Sequence, residues 1–234
     1  SDVIGVALFW TILLSGVALV ISFTLGNLLG IIGTWRRGGL IDSIMPPVLI
    51  FIGAFPYFWL AMVALYFLGF QLNLFPLRHA YASHFTPALT PDFIGSVLRH
   101  LILPAGTIVV VSIGGWALGM RNTMISVLSE DYVVFAEAKG LSPQRIMFQY
   151  AARNALLPAI TSLGLSLGFI LSGALLTEIV FSYPGLGFLM LSSVHNLDYP
   201  LLQGLLLMTT ATVLIANFFI DLVYVFLDPR IRVG

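Results

Sequence analysis

The sequence predicts an all-α integral membrane protein, a polytopic helical bundle. Three observations carry that expectation. Of 234 residues, 59% are hydrophobic and 9% charged, where a soluble domain carries about 25% charged residues. Mean hydropathy is +1.03. Five apolar runs are each long enough for a bilayer core, which takes roughly 20 residues of helix. In lipid every backbone polar group needs an internal partner, so a spanning segment is a helix or a strand of a closed barrel. The runs do not alternate in hydrophobicity as barrel strands do. Formal net charge is zero, which gives no field to draw nucleic acid. The absence of cysteine excludes disulfides and thiolate metal sites.

The runs are read as five spans of one domain covering 1–234: 3–33, 44–70, 101–120, 156–177 and 201–226. The first is long enough to tilt. The second holds Pro46, Pro47 and Pro56. Lys and Arg set the sidedness. Arg36, Arg37, Arg121, Lys139, Arg145, Arg153, Arg230 and Arg232 fall on one side of a five-span chain, and Arg78 and Arg99 on the other. Eight against two places the first group, and the C-terminus, in the cytoplasm. The start at Ser1 is then outside, which predicts a preceding span. Trp35, beside Arg36 and Arg37, reads as an interfacial anchor, and Asp42 as a partner for one of those arginines.

The longest cytoplasmic loop, 121–155, is polar and patterned. Ser129 is positioned to cap a helix whose first turn holds Glu130 and Asp131, acids that suit a positive N-terminal dipole. That helix runs to Lys139. Gly140 fits a left-handed position just past its end. Ser142 reads as an N-cap and Pro143 as a first helical residue. The second helix runs toward Leu157 and is expected to stop at Pro158. A capped helical hairpin in an apolar chain reads as a lever for a cytoplasmic partner rather than a plain connector.

At these residues the sequence resembles the permease subunits of binding-protein-dependent ABC importers of the type I class. Their cytoplasmic loop stands here as Ala136-Glu137-Ala138-Lys139-Gly140-Leu141-Ser142, closing on Leu156-Leu157-Pro158. The finer resemblance is to the B-type subunit of the dipeptide/oligopeptide/nickel branch, through RNTMISVLSEDYVVFAEAKGLS, RNALLP, TEIVFSYPGLG, DYPLLQG and DLVYVFLDPRIR in that order. The family's leading acid falls near Phe135, so that acid is absent and Glu137 is a neighbour. The family's first helix and the external segment after it are also absent. The resemblance implies a type I permease fold in a prokaryotic inner membrane, with a coupling helix seated in a groove of a cytoplasmic ATPase. Glu137, Ala138, Gly140, Leu141, Ser142, Gln144 and Arg145 would belong to that coupling site. It further implies two ABC ATPase subunits that hold ATP and magnesium, a second permease of the related C type, and an extracytoplasmic substrate-binding protein. Lys139, the single lysine, is followed by Gly140 and Leu141, so the chain has no Gly-Lys-Ser/Thr phosphate loop. Neither a catalytic residue nor a bound cofactor is expected of it.

Glycine pairs four apart, Gly26/Gly30, Gly115/Gly119 and Gly164/Gly168, mark close helix packing within the chain, or contact with a second permease along the path. Gly164–Gly168 also matches G-x-S-x-G, but mid-helix and with the histidines outside, which argues against a hydrolase elbow. Asp221 is an acid well inside a span. It is expected to face the bundle, with Asn217 one turn away as a partner. Glu178, Tyr183, Pro184 and Gly185 leave the fourth span on the outer side, as a re-entrant cap or an outer gate. His79 and His84 sit five apart in a Pro-rich loop, which is no metal-ligand spacing, and no metal site is expected. The function read from all this is a transmembrane permease of an ATP-driven importer for peptides or similar small polar solutes. The rival is an ion-coupled secondary transporter, which would show inverted repeats and midplane ion ligands; only Asp221 could serve, and no internal repeat is present.

Overall fold

The computed structural model describes residues 2–35 and 39–227, with side chains except those of 41, 167–173, 216 and 219–227. Its elements are α1 (Asp2–Trp35), α2 (Leu40–Gly53), α3 (Tyr57–Ala64) continued by a π-helical stretch (Leu65–Gln71), α4 (Pro91–Val127), α5 (Asp131–Ala138), α6 (Pro143–Arg145), a second π-helical stretch (Ile146–Ala151), α7 (Ala152–Gly173), α8 (Leu175–Val180), α9 (Leu186–His195) and α10 (Tyr199–Leu227). No strand occurs among the described residues. α1 and α4 are long and apolar enough to cross a bilayer.

Proline chemistry accounts for where the observed helices depart from the expected runs. The run 44–70 is not one straight helix. It is broken into two parts, Leu40–Gly53 and the stretch from Tyr57 to Gln71. Pro56 has no N–H to continue the ladder and disfavours helical backbone at Phe55, so the break falls at 54–56. Pro158, by contrast, does not stop its helix. Residues 143–173 form one succession of helical segments, α6, the π-helical stretch and α7, with Pro158 inside α7. The carbonyl that loses its intrahelical donor is that of Asn154, an exposed residue. The expected third span, 101–120, lies within the longer α4. The fourth ends at Gly173, with α8 beginning after Ala174. The fifth matches α10 closely.

The expected single domain is described as two compact units, with α1, α4 and α7 each contributing a different end to each. The first comprises Ser1–Leu19, Pro56–Ile108 and Leu165–Gly234. Its apolar core holds Ala7, Leu186 and Leu205, packed by Ile4, Leu8, Leu189, Met190 and Leu201. The loop between Leu72 and Thr90 is pinned at two points. His79, in left-handed backbone at φ 67°, donates its N–H to the Phe181 carbonyl at 3.1 Å. The Ala82 N–H donates to Ser96 Oγ at 3.0 Å.

The second unit comprises Val20–Phe55 and Val109–Gly164. Here α1 and α4 touch along small residues. A Cβ on Gly26 would lie 2.5 Å from Trp116 Cβ, and one on Gly30 2.5 Å from the Ala117 carbonyl oxygen. These two glycines pack as their spacing predicts. Phe23 adds an edge-to-face contact with Trp116 at 5.1 Å. α2 is drawn against α4 at Gly114, where a Cβ would sit 3.0 Å from the Leu49 carbonyl oxygen. Arg121 of α4 reaches Asp42 of α2 at 2.8 Å. Asp42 thus has Arg121 as a partner; Arg36 and Arg37, the partners expected for it, lie with Arg230 and Arg232 outside the described residues.

Candidate functional site

The polar loop of the second unit is a helical hairpin built on a dry base. Val133 and Ala136 on α5 and Ile146, Met147 and Ala151 on the π-helical stretch are buried together with Ile31 of α1 and Met120 and Met124 of α4. Trp35, Val127, Leu128, Leu141, Tyr150 and Leu156 pack around them. Burying a Val, Ile or Met side chain contributes about 1.5–3 kcal/mol, so Val133, Ile146 and Met147 alone hold the hairpin firmly on its helices.

The turn is a Schellman motif. Lys139 is the C-cap of α5. Gly140 follows in left-handed backbone at φ 72°. Its N–H donates to the Glu137 carbonyl at 2.9 Å, and the Leu141 N–H donates to the Ala136 carbonyl at 3.3 Å. These are the 5→2 and 6→1 bonds that satisfy the last carbonyls of a helix. Leu141 enters the core shared by Ala136, the apolar contact that accompanies this motif. Ser142 follows as N-cap in extended backbone, with Pro143 at the helix start, although the Ser142 hydroxyl makes no capping bond.

Ser129 does not cap α5. α4 runs on to Val127, so Ser129 sits in the tight turn after it and donates its hydroxyl to the Ser126 carbonyl at 2.7 Å. Glu130 takes the N-cap position instead.

Of the seven residues expected at the coupling site, Glu137, Ala138, Gly140, Ser142, Gln144 and Arg145 are exposed together on the hairpin. Leu141 is the exception, being partly buried in the base. Arg145 Nε donates to Gln149 Oε1 at 3.1 Å, one turn on. Beside these residues stand aromatics that the motif did not single out: Phe135 is 68% exposed and Phe148 46%. Their signal in the sequence was available. With Val133 and Ala136 facing inward, α5 still carries Val134 and Phe135, apolar residues that its core-facing stripe leaves over.

The paired glycines divide by environment. Gly26 and Gly30 pack tightly, whereas among the described residues nothing approaches within 4 Å of a Cβ built on Gly115 or Gly119. The packing expected for the second pair within the chain is therefore not found among the described residues. Both glycines are exposed and line a cavity of about 330 Å³, together with Asn27, Ser112, Thr123 and Ser162. Gly164 lies in α7, as does the backbone of Gly168, whose surroundings are outside the described residues. G-x-S-x-G thus sits within a helix and forms no strand-to-helix elbow. Asn217 is exposed on α10, and the Asp221 side chain lies outside the described residues.

In the first unit, Glu178, Tyr183 and Gly185 of the expected cap or gate are buried, with Pro184 half-buried, and Glu178 is the centre of a clamp. Glu178 and Tyr183 are fully buried. The Glu178 carboxylate accepts from Thr11 Oγ1 at 2.7 Å and from the Gly187 N–H at 2.6 Å. Thr11 Oγ1 in turn accepts from the Leu186 N–H at 2.8 Å. Gly185 is the N-cap of α9 and has no side chain to offer. Glu178 and Thr11 therefore supply the acceptors for the first amides of α9, where a helix N-terminus stabilises negative charge. A Cβ on Gly185 would fall onto the Glu178 carboxyl group, and one on Gly187 would lie 2.6 Å from Leu175 Cα. Tyr183 meets Trp10 edge-on at 6.0 Å. The spacing of TEIVFSYPGLG gave no hint of Thr11, 167 residues away from Glu178.

Comparison with known proteins matches residues 26–233 to the family described as binding-protein-dependent transport system inner membrane component. The chain is similar to a probable peptide ABC transporter permease of Sinorhizobium fredii, at 36% identity over 95% of this chain and 69% of the relative. It is also 36% identical to a di/tripeptide transport system permease of Pseudomonas aeruginosa, over 95% of this chain and 70% of the relative. With a dipeptide transport system permease of Escherichia coli K12 it shares 31% identity, over 92% and 68% respectively.

Proposed function

Because the chain belongs to the family of binding-protein-dependent transport inner membrane components, we propose that it is a permease subunit that carries small peptides inward, driven by a separate ATPase that grips the 131–145 hairpin. The names of its relatives support peptides as the solute class. The observation that carries the coupling role is the two-sided hairpin. Its inner face is locked into the core of α1 and α4, while Glu137, Ala138, Gly140, Ser142, Gln144 and Arg145 are left exposed at its tip. A lever needs both properties, a rigid root and a free contact surface. Force applied at such a tip passes to α4 and α7 through packed side chains, the kind of physical continuity that coupling between distant sites requires.

ATP and magnesium belong to two partner ATPase subunits, since Lys139 is not part of a Gly-Lys-Ser/Thr loop. The chain itself performs no chemistry. A related C-type permease completes the path, and an extracytoplasmic binding protein delivers the solute. The subunit is multi-pass, with its C-terminus on the cytoplasmic side by the Lys and Arg count. On the outer side, the clamp at Glu178, Tyr183, Pro184 and Gly185 frames the gate. Copurification tests the assignment. Arg145→Glu is expected to weaken recovery of the ATPase, or to leave ATP hydrolysis unlinked to peptide uptake. Wild-type recovery, stimulation and uptake in that variant would contradict it.

A further inference from the structure

In the first unit, the end of α3 and its π-helical continuation wall a cavity of about 500 Å³. Part of the lining is apolar: Met62, Leu65 and Phe70 from that helix and Val180 from α8. Along the helix the wall passes from aliphatic to aromatic, ending where Tyr66 stacks on Phe70 at 6.0 Å. Both rings are exposed, at the outer end of the expected 44–70 run, where membrane interfaces gather aromatic side chains. The rest of the lining consists of donors. Arg78 is exposed, and among the described residues no carboxylate pairs with it. Tyr66 Oη accepts from Gln71 Nε2 at 2.8 Å, which leaves its own proton to give. The Ser182 hydroxyl is half-buried at the same cavity and makes no bond among the described residues. No acidic side chain of the described residues lines the cavity. Backbone holds the donors in place. The His79 N–H donates to the Phe181 carbonyl at 3.1 Å. His79, at φ 67°, and Ser182, at φ 46°, are both left-handed, a conformation that non-glycine residues keep only where their surroundings impose it. That bond therefore fixes Arg78 and Ser182 on one wall.

We propose that this cavity binds one anionic phospholipid of the outer leaflet, its phosphate taken by Arg78, Tyr66 and Ser182 and an acyl chain laid along Met62, Leu65 and Phe70. A phosphodiester offers charged acceptor oxygens, which suit an arginine fork and two hydroxyl donors. The glycerol headgroup of phosphatidylglycerol brings no cation, and the lining has no acid to meet one. An acidic side chain of a partner protein would satisfy Arg78 but leave the apolar stripe uncovered, whereas a lipid covers both. The volume suits a headgroup and the start of a chain, within the roughly 300–1,000 Å³ typical of small-molecule sites. The outer leaflet follows from the Lys and Arg count, which puts Arg78 outside. The inference goes beyond the peptide-permease reading; it needs a chain embedded in a bilayer and no particular solute.

The test uses the complete transporter in detergent, titrated with dioleoylphosphatidylglycerol and read by native mass spectrometry. Arg78→Gln changes an exposed residue, so assembly should persist while the tightest lipid-binding step weakens about tenfold or more. Tyr66→Phe keeps the ring and loses one donor, and should weaken that step less. Arg99→Gln, at an outer arginine that lines a different cavity beside Asp92, should bind as wild type. Dioleoylphosphatidylcholine, which carries a cation, and glycerol 3-phosphate, which has no chains, should both compete poorly. Wild-type affinity in Arg78→Gln would overturn the proposal. So would an equal loss in Arg99→Gln, which would make the attraction a diffuse effect of charge. Effective competition by glycerol 3-phosphate would also overturn it, leaving an anion site with no use for the apolar stripe. Intact lipid binding in Arg78→Gln with weaker capture of the binding protein would assign the arginine to docking instead. The readout is lipid and not uptake, so failure here leaves the peptide-permease reading standing, and a complex that imports no peptide leaves this inference standing.

Discussion

Replacement of Gly140 separates backbone conformation from partner contact. The residue sits at φ 72°, and among the described residues nothing lies within 4 Å of a Cβ built on it. Substitution therefore meets no steric wall in the chain, and the cost is conformational. Left-handed backbone costs an L-residue roughly 1–2 kcal/mol, less for Asn, which visits that region more readily. Gly140→Ala should lower stability by about that amount, which in a chain of this size is a melting shift of about 2–8 °C. Gly140→Val should cost more, because β-branching makes φ > 0 harder still. Gly140→Asn should recover much of the loss. The assay is thermal unfolding of the purified complex in detergent, read beside ATPase recovery. An alanine variant as stable as wild type would refute the conformational reasoning. An asparagine variant as damaged as valine, with normal melting but no ATPase, would shift the role of Gly140 from turn geometry to direct contact.

Glu178→Ala should leave the Thr11 hydroxyl and the Gly187 N–H buried without their acceptor. At about 1–3 kcal/mol for each orphaned group, the loss should appear as a sharp fall in melting temperature and yield. Gly30→Ala should destabilise by about 1–3 kcal/mol through forced overpacking against Ala117. Gly16→Ala, in the same helix but with open space around it, should be neutral or gain up to about 1 kcal/mol of helix propensity; melting curves that fail to separate the two would contradict the α1–α4 contact. A double-mutant cycle across Arg121 and Asp42 should give a coupling of about 1–2 kcal/mol, because side chains 23% and 13% exposed lie between the exposed and buried regimes. A null coupling would demote the pair to a surface contact.

What the sequence made legible was local or cumulative. The Schellman turn was visible at Lys139-Gly140-Leu141 because a glycine after a cation at a helix end has few other uses. The apolar runs located α1, α4 and α10 because hydropathy sums over many residues. Failures came where one local signal had two physical outcomes. Pro56 breaks its run and Pro158 does not, since each leaves one carbonyl without a donor and only the surroundings decide whether that can be borne. Gly26/Gly30 and Gly115/Gly119 share one spacing, yet the first pair packs and the second opens a cavity, because periodicity names a face and not its occupant. Ser129 carried a good cap signature, but α4 extended far enough to claim its hydroxyl. The Glu178 clamp was out of reach for another reason: its partner Thr11 lies on a helix most of the chain away.

The central claim is mechanical, that the tip of the 131–145 hairpin bears on an ATP-hydrolysing subunit. The chain contains no cysteine, so a single one at Gln144 reports without background. Gln144→Cys, paired with single cysteines around the ATPase groove in membranes, should form a disulfide with the ATPase whose yield changes when ATP is added, while Leu141→Cys, held in the hairpin base, should cross-link far less. Equal cross-linking from both positions, or none from Gln144 in a complex that still imports peptide, would contradict the account.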